Sequence, residues 1–374
     1  MPEKKNQHLV PACYLRRFEA DVSEMRKSNP NYSSGIYVND NSLTSSWKLR
    51  SVTHKSLTRP YFYNLPDDDP KEPVIENFLS VIEGNYRKYS EEIINGSVNN
   101  ENMSFMSYFV TLQFMRVESF LESIQGSFDK VGEWMDCFSG GNDNSSAIKD
   151  IAKKQLVDID LGHILHPHSA VIYNNTNFPF VTSDNPVVRR QINIVDARKM
   201  IPNRHLQLTK NESKEFSLFF MPLSPVVAYI SCEMIGFKEK IIYSDSDLEN
   251  IFYLNYFSIV NSYEKIYSSV VEPIKGEKQL SKHLSSRSGT VIKIYTKSRI
   301  IICVGSIENN MDSCISLRLH DLDQLKLIQN REHVSLVEIL DNGVSVRGMR
   351  NCKVSAVDYA NGTVVIESNI NLGI

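Results

Sequence analysis

The sequence predicts an α+β protein in two domains. A mixed domain of helices and short strands is expected over residues 1–277, followed by a small antiparallel all-β domain, a barrel or sandwich, over 288–374. Three observations carry that expectation. Apolar residues recur at steps of three and four through several long stretches of the first part, the pattern of one-sided helices. Short β-branched and aromatic runs lie between those stretches, and such a mixed order reads as α+β. Beyond residue 290 the alternation changes to period two, with tight-turn residues between the runs.

Bulk properties agree with this. A chain of 374 residues is long for one domain. With 41% apolar and 23% charged residues the composition is that of a globular protein. A net charge of −3 exerts no global pull toward nucleic acid or an anionic membrane. No apolar run reaches the roughly 18 residues of a spanning helix, and the charged residues 1–6 lack the apolar stretch of a signal peptide. Six cysteines without a C-x-x-C pair argue against a zinc ribbon or a disulfide framework. Reduced thiols, a cytoplasmic location and no membrane partner are therefore expected.

The chain opens on Gln7-His8-Leu9-Val10-Pro11-Ala12-Cys13-Tyr14-Leu15-Arg16-Arg17-Phe18. A start this rich in large side chains has to be tied to the body of the protein, unlike most termini. Residues 20–70 are poor in periodicity, with brief extended pieces at 36–38 and 61–65. The first strong helix is expected over 73–94, where Ile75, Leu79, Ile82, Tyr86, Tyr89 and Ile93 form one stripe. Glu83, beside Ile82, lies either on a solvated flank or in a cleft. A second helix is expected over 102–124, with Phe105, Phe109, Leu112 and Phe120 on its apolar side. Gln113 and Arg116 share that side. A buried guanidinium requires a partner, and Glu83 or Asp184 is of the right kind.

A loop at 139–146 is followed by a third expected helix over 147–164. Strands are expected at 169–173, 178–182, 217–221 and 226–231, and a last helix at 245–263. Composition shifts to Lys, Gln, Ser and Gly around 275–290, as in a linker. Runs at 290–295 and 299–304 then flank Thr296-Lys297-Ser298, those at 334–340 and 344–348 flank Asp341-Asn342-Gly343, and those at 353–359 and 363–367 flank Ala360-Asn361-Gly362. Asn-Gly between alternating runs is a strong hairpin signal. This tail is mildly basic and the body mildly acidic.

Four pieces, in order, resemble the DUF4238 family, a bacterial family of unknown function. Gln7-His8-Leu9-Val10-Pro11 with Tyr14, Leu15 and Phe18 resembles its Q-H-x-V-P-x-x-Y-L-x-x-F signature, with Leu9 where the family usually has tyrosine. Ile82-Glu83 resembles an I-E step, and Leu112-Gln113-Phe114-Met115-Arg116 an L-Q-x-x-R step. Thr182-Ser183-Asp184-Asn185-Pro186 and Pro222-Leu223-Ser224-Pro225 resemble T-S-D-N-P and P-L-S-P. The resemblance covers roughly residues 4–270 and leaves the β-domain outside. It implies a set of site residues without implying a reaction.

Those motifs yield a candidate catalytic set: His8, Glu83, Arg116 and Asp184. His8 is of the residue type that suits general acid–base work, though a satisfied core histidine is the plainer account. Asp184 could orient that histidine or hold a divalent cation, while Arg116 could neutralise a phosphate or carboxylate. Tyr14, Gln113, Ser183, Asn185 and Arg189 are candidates for binding substrate. An Asx-turn closed by Pro186 explains the 182–186 cluster equally well. Ser183 lacks a G-x-S-x-G elbow, and no P-loop, Rossmann or H-E-x-x-H motif occurs. The leading expectation is a hydrolase acting on a phosphate-containing substrate, with nucleases included and nucleic acid or a nucleotide as partner. Its rival is a non-catalytic sensor or scaffold whose β-domain binds a protein.

Overall fold

The computed structural model describes residues 5–39, 47–139, 143–207, 214–270, 290–296, 300–311, 314–319, 334–339 and 345–368. The expected domain boundary between 277 and 288, the linker and the Asp341-Asn342-Gly343 turn lie outside the described residues, as does most of the Thr296-Lys297-Ser298 turn.

The opening stretch is tied down as its composition requires. Strand Asn6–His8 pairs antiparallel with Thr58–Pro60. Pro11 then starts one helical turn, Ala12–Leu15, its carbonyl accepting the Tyr14 and Leu15 amides. Tyr14, Leu15 and Phe18 are fully buried in the largest core, with Tyr86, Phe109 and Tyr229. Each such burial stabilises the fold by roughly 1.5–3 kcal/mol.

Helix Val74–Ile94 buries Ile75, Leu79, Tyr86 and Ile93 on the expected face. It stops at Gly96, whose φ of +87° admits the left-handed turn. There the Gly96 amide bonds Ile93 O and the Ser97 amide bonds Glu92 O, which closes the helix end. The next helix, Asn100–Met115, starts from a reciprocal Asn99–Asn102 cap.

The expected single helix over 102–124 is two helices, because the chain breaks at Arg116 and resumes as Glu118–Ser139. The cause is local. Tyr63 Oη donates to Arg116 O at 3.0 Å, and the Phe120 amide bonds Val117 O instead. The expected helix over 147–164 is likewise split into Asp143–Ala147, Ile151–Asp158 and Gly162–Leu165. Asp150 takes a left-handed φ of 59°. Gly162 packs against the neighbouring helix so closely that a Cβ there would lie 2.6 Å from Tyr108 N.

A five-stranded sheet organises the centre, in the order Lys238–Tyr243, Ser169–Asn174, Val227–Cys232, Phe216–Pro222, Val188–Ile192. All neighbours are antiparallel except Lys238–Tyr243, which runs parallel to Ser169–Asn174. Alternation places Val171, Met221, Val227 and Tyr229 in the core under the N-terminal stretch. Ala170, Ile172, Phe220, Ala228 and Ile230 face a second core, under helices Ile194–Met200 and Leu248–Val260. The helix expected over 245–263 is thus shorter than its pattern, opening as a 3-10 turn, Asp245–Asp247. A smaller antiparallel sheet orders Lys48–Arg50, Ile36–Asn39, Ile266–Ser268 and Thr182–Ser183. Of the run expected at 178–182, only its end joins a strand. Residues 61–63 form a turn, and the strand lies just before them.

The C-terminal part is a closed six-stranded antiparallel barrel in the order Thr290–Thr296, Ile300–Met311, Cys314–Leu319, Thr363–Ser368, Ser345–Asp358, Val334–Ile339. The runs expected at 344–348 and 353–359 are one long strand with irregular pairing. Leu317, Leu319, Cys352, Val364 and Ile366 are buried. No helix among the described residues is long and apolar enough to cross a membrane.

Candidate functional site

Arg116 is the hub. Its side chain is 2% exposed. Nη1 donates to Glu83 Oε1 at 2.9 Å, Nη2 to the main-chain oxygen of His8 at 3.0 Å, and Nε to Tyr63 Oη at 3.3 Å. Burial opposes the charge, but Tyr63 and Glu83 hold the guanidinium pKa above its ordinary value. Gln7 extends the hub, accepting the Tyr63 amide and donating to Asn64 Oδ1. Glu83 is therefore the partner that a buried arginine demanded, and its side chain stays 26% exposed.

His8 joins the hub through its backbone, not its ring. Its Nε2 lies 3.0 Å from Val52 O. Asp184 is committed elsewhere: Oδ1 accepts the Tyr263 amide, and Oδ2 accepts those of Glu264 and Lys265. This pins Thr182–Ser183 to the turn before Ile266–Ser268. Burial pushes the Asp184 pKa up to about 6, against the pull of the three amides and of Lys265. Ser183 Oγ accepts the Asn185 amide and donates to Asn185 O, the local turn that the sequence allowed. Tyr14 Oη meets Thr182 Oγ1 at 2.6 Å inside the core. Arg189 lies on the exposed edge strand, its guanidinium 5.8 Å from the Phe114 ring centroid. Gln113 is fully buried, and neither its amide nitrogen nor its oxygen has a hydrogen-bond partner. Direct contacts thus join His8, Glu83 and Arg116, while Asp184 bonds a different segment. Arg59 links the two regions: it pairs in register with Gln7 and reaches Glu264 Oε2 at 3.4 Å.

One cavity adjoins the hub. It measures about 280 Å³ and is lined by Cys13, Arg16, Arg17, Arg87 and Glu91. Glu83, Arg87 and Glu91 succeed one another at four-residue steps, so one flank of helix Val74–Ile94 runs from the hub to the cavity. Arg17 Nη2 donates to Arg87 O at 3.2 Å and to Ser90 Oγ at 3.4 Å, and lies 3.7 Å from Glu91. Burial first, then Glu83, pushes the Cys13 thiol up to about 12, so it remains a neutral thiol rather than a nucleophile. Sequence reasoning singled out none of these five as site residues. The signal was present in the Arg16-Arg17 pair and in the 83/87/91 spacing. Among the described residues, no group of three or more His, Cys, Asp or Glu could hold a metal ion.

A family model described as "Protein of unknown function (DUF4238)" matches residues 6–270. No curated protein and no solved structure matches the chain.

Proposed function

The chain belongs to the DUF4238 family, and from that premise we propose that it is a non-catalytic sensor of a phosphate-containing ligand bound in the cavity beside Arg116. The observation that carries this reading is the convergence of Arg16, Arg17 and Arg87 on one cavity. A guanidinium fork matches phosphate oxygens in geometry and charge. The residues expected to do chemistry support the same reading, because Arg116 and Asp184 have their polar atoms engaged in internal bonds. A nucleotide or a nucleic-acid end is a ligand of suitable chemistry, and the barrel is the part available to a protein partner.

A hydrolase, nucleases included, is the second reading, and Glu83 favours it. Only its Oε1 is bonded to Arg116, and it lies near enough to Cys13 to act on that thiol. A carboxylate beside a phosphate cavity can serve as a general base. Calorimetry with adenosine 5′-monophosphate and a phosphodiesterase assay separate the two, using wild type, Arg87→Ala and Glu83→Gln. A sensor binds the nucleotide in wild type, loses it in Arg87→Ala and turns over nothing. Turnover by wild type that Glu83→Gln abolishes would replace the sensor with a hydrolase. Absence of binding and turnover in wild type would refute both.

A further inference from the structure

We infer that the cavity selects a phosphomonoester dianion, a terminal phosphate, over the diester of a nucleic-acid backbone. The inference rests on the sensor reading and adds the charge state of the ligand.

The argument is a local charge balance. Five side chains line the cavity, and four of them are charged. Arg17 is held in place by Arg87 O and Ser90 Oγ, and Glu91, 3.7 Å away, offsets its charge. Arg16 and Arg87 are exposed, and neither guanidinium makes a hydrogen bond or ion pair within the described structure. Cys13 is neutral. Two uncompensated positive charges therefore face the space. Behind Cys13, Glu83 and Arg116 offset each other as a pair.

A monoester phosphate carries close to two negative charges at neutral pH, since its second pKa is about 6. A diester carries one. The monoester balances both free guanidinium groups and offers three terminal oxygens to their N–H donors. A diester leaves one guanidinium unmatched and brings a second ester substituent toward the Glu91 rim. The same terminal phosphate occurs on a free nucleotide and on the 5′ end of a nucleic acid, and the cavity chemistry is common to both.

The test is calorimetry on the full chain at pH 7.5. The probes are adenosine 5′-monophosphate, its methyl ester, and a short oligonucleotide with either a 5′-phosphate or a 5′-hydroxyl. The monophosphate should bind about tenfold or more tightly than its methyl ester, the scale of one additional close charge contact. Arg16→Gln and Arg87→Gln, both at exposed positions, should each shrink that ratio toward one. Glu91→Gln should strengthen binding of both ligands, the doubly charged monoester more than the methyl ester. Preference for the phosphorylated oligonucleotide over the free nucleotide assigns the source to a nucleic-acid end, and the reverse assigns it to a nucleotide. Equal binding of monoester and methyl ester overturns the inference while the sensor reading stands. Failure of every phosphate probe to bind overturns the sensor reading itself.

Discussion

Replacing Arg116 by methionine tests the hub most directly. Methionine keeps much of the side-chain volume, so the cavity left behind is small and the polar losses dominate. Three bonds go: to Glu83 Oε1, to His8 O and to Tyr63 Oη. Breaking a buried pair by removing one partner costs about 3–5 kcal/mol. Glu83 is 26% exposed and can recover part of its hydration, which places the expectation near the lower end of that range. For a domain of this size, that corresponds to a fall in Tm of roughly 5 °C. Urea denaturation of wild type, Arg116→Met, Glu83→Gln and the double variant supplies the assay. The double variant should cost less than the two singles added, because the orphaned charge then disappears with its partner. A loss below about 1 kcal/mol in Arg116→Met would refute the structural role, leaving a site whose polar groups are held for chemistry.

Three further outcomes follow from the same geometry. Tyr63→Phe removes the hydroxyl shared by Arg116 O and Nε, and should cost about 1–3 kcal/mol by urea titration. A neutral result would show that the helix break at Arg116 does not need that bond. Asp184 has a folded pKa of about 6, above its ordinary 3.8, so the folded state binds its proton more tightly. Stability from this group should therefore rise as pH falls through 6, level off below 3.8, and be absent in Asp184→Asn. A carboxyl carbon titrating at or below 3.8 by NMR would show instead that the three amides outweigh burial. Gly162→Ala places a Cβ 2.6 Å from Tyr108 N, forcing the two backbones apart at a cost of about 1–3 kcal/mol. An unchanged melting curve would contradict that close approach.

Much of the fold was legible because single side chains report burial through spacing. The stripe from Ile75 to Ile93 and the need of Arg116 for an acid are both readable from intervals of three, four and seven. The break at Arg116 was not readable, since Tyr63, distant in sequence, competes for the carbonyl that would continue the helix. Strand Val188–Ile192 was missed because its middle, Arg189-Arg190-Gln191, is polar on an edge strand, the two arginines lying over rings, Arg189 over Phe114 and Arg190 over Phe257. Cys314–Leu319 was legible and overlooked: Ile315, Leu317 and Leu319 alternate with Ser316 and Arg318. For the site, sequence offered Glu83 or Asp184 as the acid for Arg116, and Glu83 is the one that pairs with it, but sequence expected the His8 ring where the backbone does the binding. Asp184 satisfies a turn 80 residues further along the chain, and no local pattern encodes so remote a partner.

The grip on the His8 carbonyl also bears on how this chain is made. Residues 6–18 leave the ribosome well before residue 182, and Tyr14 waits 168 residues for Thr182. Until then Tyr14, Leu15 and Phe18 remain exposed and liable to wrong partners. Contacts this far apart in sequence slow folding, and they make the seam between residues 6–18 and the central strands a late one to close.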